Sequence, residues 1–190
     1  ELITIDEINN ILGSSFGNFF GAEWTNETTL LLNDGQSVAT FDIKTKSGKI
    51  LKKPVENAAN QSYHAASNQL AYTIDNNLYV DGRAVTKNTD KNIVSGQSIA
   101  RNEFGISGGI FWSNQGNILA FYQKDETDVH NYPLLDINTT PASLVSIKYP
   151  MAGQKSEKPR VGIYNVKTKK SVYINPRGAA DDYFTNLAIT

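Results

Sequence analysis

IFWSNQGNILAFY, residues 110–122, decides the architecture. A short aromatic run leads into a small polar turn around asparagine and out into a longer aliphatic run, the composition expected of two antiparallel strands and their connection. Two other stretches follow the same order, AEWTNETTLLL (22–32) and YHAASNQLAYT (63–73). Each is followed by further strand-forming sequence: QSVATFDI (36–43), NLYVDGRAV (77–85) and VGIYNVKTKKSVYI (161–174). The repeats start at residues 22, 63 and 110, close to the roughly 40–45-residue period of four-stranded propeller blades. The fold class that follows is all-β, a partial β-propeller of four-stranded antiparallel blades. The competing architecture is a sandwich built from a meander of similar hairpins.

Turn chemistry agrees. Asp34-Gly35 and Asp81-Gly82 each separate runs rich in aliphatic, aromatic and β-branched residues, a strong local hairpin signal. The opening differs: in TIDEINNIL, Thr4 and Glu7 have capping-box spacing ahead of Ile8, Ile11 and Leu12, which predicts a short N-terminal helix. The expected organisation is a helical leader over residues 1–14 and propeller sequence over 15–190, about three blades. DDYFTNLAIT (181–190) is expected to begin a further blade, so that the ring is completed by residues outside this sequence.

Composition removes several functions. With 39% hydrophobic and 19% charged residues and a net charge of −1, the chain has enough apolar content for a folded core and lacks the clustered cations that phosphate neutralisation requires. No nucleic-acid partner is expected. No apolar run approaches the roughly 20 residues of a membrane span. Cysteine is absent, which excludes disulfides and thiolate chemistry, and His64 and His130 lack partners at metal-ligand spacing, so no metal and no cofactor is expected. DETD (125–128) lacks the glycine and distal glutamate of a calcium loop.

Three longer segments, LAYTIDNNLYV (70–80), RNEFGISGGIFWSNQGNILAFYQKDETDVHNYPLLDI (101–137) and IKYPMAGQKSEKPRVGIYNV (147–166), resemble the N-terminal β-propeller of the dipeptidyl peptidase IV family, among the prolyl oligopeptidase-type serine peptidases. The likeness is to bacterial members of the Bacteroides type, prolyl tripeptidyl peptidases included. It implies a propeller followed by an α/β-hydrolase domain that lies outside these residues, and an extracytoplasmic location, periplasmic or secreted. It also implies a peptide substrate with a free N-terminus, gripped by an acidic residue on a short propeller insertion. Glu103 of RNEF matches that acidic position. A peptide α-amine is cationic below a pKa of about 7.7–8.0, and a carboxylate held at a fixed distance from a nucleophile turns the grip into a ruler.

Asn102 stands where many dipeptidyl members carry a second glutamate, which leaves dipeptide or tripeptide release open. The family's carbonyl-binding arginine has no counterpart in LNDGQS (32–37), and Arg101 is the candidate in its place, through a local ion pair or a bond to a backbone carbonyl. The substrate-binding set is therefore Arg101, Asn102 and Glu103, with no catalytic residue in this sequence. The Gly-Gln-Ser triplets at 35–37 and 96–98 run on to Ala39 and Ala100 and are read as turns, not as a nucleophile elbow. Tyr122, Phe104 and Tyr132 are candidates either for blade core or for a cavity wall. Expected partners are the peptide, the hydrolase domain and a second copy in a homodimer. The alternatives are a non-enzymatic propeller module that binds a protein, and a homologue whose hydrolase domain has lost its serine.

Overall fold

The computed structural model describes residues 3–177, 184–185 and 187–189. Helix α1 (Ile5–Leu12) begins where its sequence says it should. Thr4 accepts the Glu7 N–H while the Glu7 carboxylate accepts the Thr4 N–H, and Gly13 closes the helix in the left-handed conformation. These reciprocal bonds satisfy donors that a helix start otherwise leaves exposed. Ile8, fully buried, then carries the helix onto the first sheet through Leu32, Ala39 and Phe41.

That sheet is β1 (Glu23–Trp24), β2 (Thr29–Asn33), β3 (Val38–Asp42) and β4 (Ser47–Lys52), antiparallel in chain order. The second repeats it with β5 (Ala59–His64), β6 (Gln69–Ile74), β7 (Asn77–Val80) and β8 (Arg83–Ala84). Asp81 and Gly82 both have positive φ, 44° and 81°, the primed turn that an Asp-Gly pair favours because its twist matches the strands it joins. The three repeats seen in the sequence are the first two strands and first turn of successive blades.

The third sheet departs from the simple repeat. After β9 (Ile93–Ser95) and β10 (Ile110–Trp112) come β11 (Ile118–Asp125), β12 (Asn131–Asp136), β13 (Ser143–Lys148), β14 (Lys158–Asn165) and β15 (Lys170–Ile174). Its order is β10-β11-β14-β15, with β9 also paired to β11, while β12 and β13 form a separate hairpin between the second and third strands of the blade. The expected start of another blade at 181–190 falls largely outside the described residues.

The second strands read as unbroken apolar runs because both of their faces are covered. Along β11, Leu119 and Phe121 pack with Leu78, Val80 and Tyr164, whereas Ala120 and Tyr122 face the opposite way and pack with Ile99, Ile106 and Val161. The first group joins the second blade to the third, and Trp112 ties them further by donating its indole N–H to the Ser62 carbonyl at 3.1 Å. Gly162 lies opposite Phe121 on β14. A Cβ there would collide with the tip of the ring, so the glycine is what leaves room for the phenyl.

Asp42 closes the turn between β3 and β4. Its carboxylate accepts the Thr28 hydroxyl at 2.6 Å and the Lys44 and Thr45 N–H groups at 2.9 and 2.8 Å. The Thr28 bond, followed by the backbone donors, lowers its pKa from 3.8 to about 2. A depressed folded-state pKa stabilises the native state fully above the unfolded value and progressively less as pH falls toward the folded one. An NMR titration is expected to place the Asp42 midpoint near 2, and Thr28→Ala to move it upward.

Candidate functional site

Residues 96–109 interrupt one strand. β9 and β10 lie along the same edge of β11, with Ser95 opposite Gln123 and Ile110 opposite Phe121. Between them the chain leaves the sheet and returns, and Tyr122 closes the neck: its carbonyl accepts the Gly96 N–H at 2.8 Å and its N–H donates to the Gly109 carbonyl at 3.0 Å. The two legs touch so closely that a Cβ on Gly109 would collide with the Gln97 backbone. Ile99 and Ile106, both buried, pin the legs into the cluster with Ala120, Tyr122 and Val161. This is a compact loop with joined ends on a rigid sheet, a common carrier of function.

Its crest is a 3-10 turn, Ala100–Gly105. Ala100, Arg101, Asn102 and Phe104 have φ of 51°, 54°, 63° and 56°, the left-handed region that costs an L-residue roughly 1–2 kcal/mol. Glu103 alone is extended, at φ −73° and ψ 170°. Backbone held this way persists only where surrounding structure enforces it.

Arg101 and Glu103 line a cleft of about 180 Å³ with Tyr149, Pro150, Ser156 and Glu157. Glu103 is exposed, and its carboxylate has no hydrogen-bond or ion-pair partner among the described residues. The Arg101 guanidinium lies over the Tyr149 ring, 5.3 Å from its centroid. Arg101 forms no ion pair among the described residues, and its Nε and Nη2 are buried without an acceptor. Asn102 sits on the exposed crest and is not among the residues lining the cleft. The arrangement offers an unpaired carboxylate to a cation beside an unsatisfied guanidinium.

Two residues that the sequence reading did not single out build this site. Glu157 reaches across from just before β14 and accepts the Ala100 N–H at 2.6 Å through Oε1. Its Oε2 lies 3.3 Å from Lys124 Nζ, which is also 3.1 Å from Glu126. All three side chains are buried. Their separation in sequence, with Ala100 and Glu157 57 positions apart, hid the cluster. Of the three aromatic candidates, Tyr122 is core, and burial pushes its phenol pKa up. Phe104 and Tyr132 are exposed, and Tyr132 packs against Tyr149 at 5.8 Å.

The Gly-x-Ser-x-Gly spacing, expected from the sequence reading to be absent, occurs twice, at residues 13–17 and 105–109. Neither is a nucleophile elbow, which needs a strand running into a helix. Ser15 follows the C-terminus of α1, and Ser107 lies between the 3-10 turn and β10. No histidine hydrogen-bonds either serine among the described residues; His64 instead meets Ser67 at 2.8 Å. Among the described residues no group of three or more acidic, histidine or cysteine side chains is placed to hold a metal, and no helix is long and apolar enough to cross a membrane.

Successive four-stranded antiparallel sheets stacked through shared cores, with an inserted loop presenting a carboxylate, define a segment of a β-propeller protein. The chain belongs to the dipeptidyl peptidase IV family: residues 34–189 match the family's "Dipeptidyl peptidase IV (DPP IV) N-terminal region". A Bacteroides ovatus protein assigned as a dipeptidyl aminopeptidase IV has a crystal structure that superposes with a TM-score of 0.79 at 42% identity, over 97% of this chain and 27% of that one. The crystal structure of Porphyromonas gingivalis dipeptidyl peptidase 4 matches with a TM-score of 0.66 over 89% of this chain and 25% of that one, and at 22% identity shows the shared fold. Dipeptidyl aminopeptidase B of Saccharomyces cerevisiae is 28% identical over 138 residues, 65% of this chain and 17% of the yeast protein. An Arthroderma gypseum sequence assigned as dipeptidyl-aminopeptidase B is 26% identical over 170 residues, and this chain spans 18% of its length.

Proposed function

We propose that this chain is the part of a proline-specific dipeptidyl or tripeptidyl aminopeptidase that walls the substrate cavity and anchors the peptide's N-terminal amine through Glu103. The observation that carries the reading is an exposed carboxylate, unpaired among the described residues, on a loop whose legs are locked into the sheet core. A charge-assisted bond from an ammonium to such a group is short and directional. Arg101, short of acceptors, supplies donors for an oxygen next to the amine, and Asn102 a neutral amide on the crest. Hydrolysis itself belongs to a hydrolase domain outside these residues.

The reading extends to partners and place. Leu134, Leu135, Leu144, Val145 and Ile147 of the β12–β13 hairpin are exposed. A lone two-stranded hairpin with bare edges gains most by pairing, and we assign that role to a second copy in a homodimer. An extracytoplasmic setting fits a peptidase of free peptides. The test is the protein encoded by the whole gene, given proline-containing peptides with free or acetylated N-termini and assayed by mass spectrometry. Release of two- or three-residue products from free termini alone is expected; no cleavage would refute the proposal and favour a binding module or an inactive homologue, and internal cleavage indifferent to acetylation would refute the amine anchor.

A further inference from the structure

We infer that Glu157, held by Lys124, is a positioning residue that locks the left-handed turn carrying Glu103. The inference rests on the amine-anchor reading above. Glu157 does not act as a second ligand for the amine, because Oε1 accepts the Ala100 N–H at 2.6 Å and Oε2 lies against Lys124 at 3.3 Å. Glu103, on the same cleft, is unpaired among the described residues. One carboxylate is committed to the backbone and the other is left available.

The location and the burial of Glu157 argue for this role together. Ala100 is the first residue of the left-handed run, so a bond to its N–H fixes the point at which the chain reverses hand. Within the turn, Asn102 donates to the Ile99 carbonyl at 3.2 Å and Ile106 to the Glu103 carbonyl at 3.0 Å, both local bonds. The legs are fixed by Ile99 and Ile106, but apolar packing has no direction and does not select a strained crest. Glu157 and Lys124 are each 8% exposed. Desolvating charges is expensive, and an apolar pair of similar volume often serves stability as well or better. A buried lysine placed between Glu126 and Glu157 is therefore better explained by geometry than by stability: it orients the carboxylate that directs the crest.

The experiment compares Glu157→Ala, Glu157→Gln and Glu103→Gln in the full-length protein. Deuterium exchange of the peptide spanning residues 97–106 reports the turn, and the ratio of kcat/KM for free-amine over acetylated peptides reports the anchor. Glu157→Ala is expected to speed exchange and to lower that ratio by about tenfold to a hundredfold, the usual scale for misplacing a binding group by an ångström. Glu157→Gln keeps an oxygen for the Ala100 N–H and is expected to recover part of both. Glu103→Gln should lower the ratio with exchange unchanged. Should Glu157→Ala fail to fold, Lys124→Met reads the same two quantities with Glu157 left in place but unoriented. Unchanged exchange in Glu157→Ala, or equal losses on both substrates, overturns the positioning role. An unchanged ratio in Glu103→Gln overturns the amine anchor itself, which separates the two failures.

Discussion

Replacing Glu103 by glutamine in the full-length protein is expected to cut kcat/KM for free-amine peptides by about 10- to 150-fold, the range that follows from losing a hydrogen bond of about 1.5–3 kcal/mol to a charged group. Acetylated peptides should change little. The variant differs by one oxygen-for-nitrogen exchange at an exposed position with no partner among the described residues, so the melting temperature should stay where it is and stability cannot account for the loss. The same logic fixes the pH dependence. The substrate amine loses its proton above about 7.7–8.0, so the preference for a free amine should fade as pH rises through that range in the wild type and be nearly flat in Glu103→Gln. Steady-state kinetics on paired substrates measure both.

The largest effect on stability is expected at Phe121. It is fully buried, joins the second blade to the third through Leu78 and Val80, lies against Gly162 and meets Tyr173 edge-on at 6.0 Å. Phe121→Ala should cost about 3–5 kcal/mol, because the removed ring leaves a void between two sheets that cannot close around it. A denaturant melt reads this directly. Placing alanine at Gly162 presses on the same ring from the other side, and overpacking of this kind costs typically about 1–3 kcal/mol. The two changes share one partner, so their effects should not add.

How much of this was legible in the sequence depended on how local the cause was. The capping box of α1 and the Asp81-Gly82 turn are decided within four residues and read correctly. The three repeats read correctly for a related reason, since each encodes a strand, its turn and the next strand without a break. The third blade was harder. Its second and third strands, β11 and β14, pair from Ile118 against Asn165 to Asp125 against Lys158, and the β12–β13 hairpin stands between them in sequence. Neighbouring strands in the sheet are then no longer neighbours in the chain, which is the assumption that pattern reading makes.

The candidate site divides the same way. Glu103 is a candidate through family resemblance, and Arg101 beside it, because both lie in one short segment. The stacking of Arg101 on Tyr149, the orphaned guanidinium nitrogens and the buried Lys124, Glu126 and Glu157 depend on distant segments meeting, and no spacing rule announces them. The two Gly-x-Ser-x-Gly matches show the converse: the letters are local but their meaning is not, since an elbow is defined by the strand before it and the helix after it. Only placement separates Ser15 and Ser107 from a nucleophile.

The most direct test of the central claim is a crystal structure of the full-length protein with a non-hydrolysable peptide bound. Its α-ammonium is predicted to lie within hydrogen-bond distance of a Glu103 carboxylate oxygen, at about 2.7–2.9 Å, with the Ala100–Gly105 turn in the left-handed conformation described above. A peptide amine held by other residues, with Glu103 turned to solvent or paired to a side chain of the protein, would contradict it.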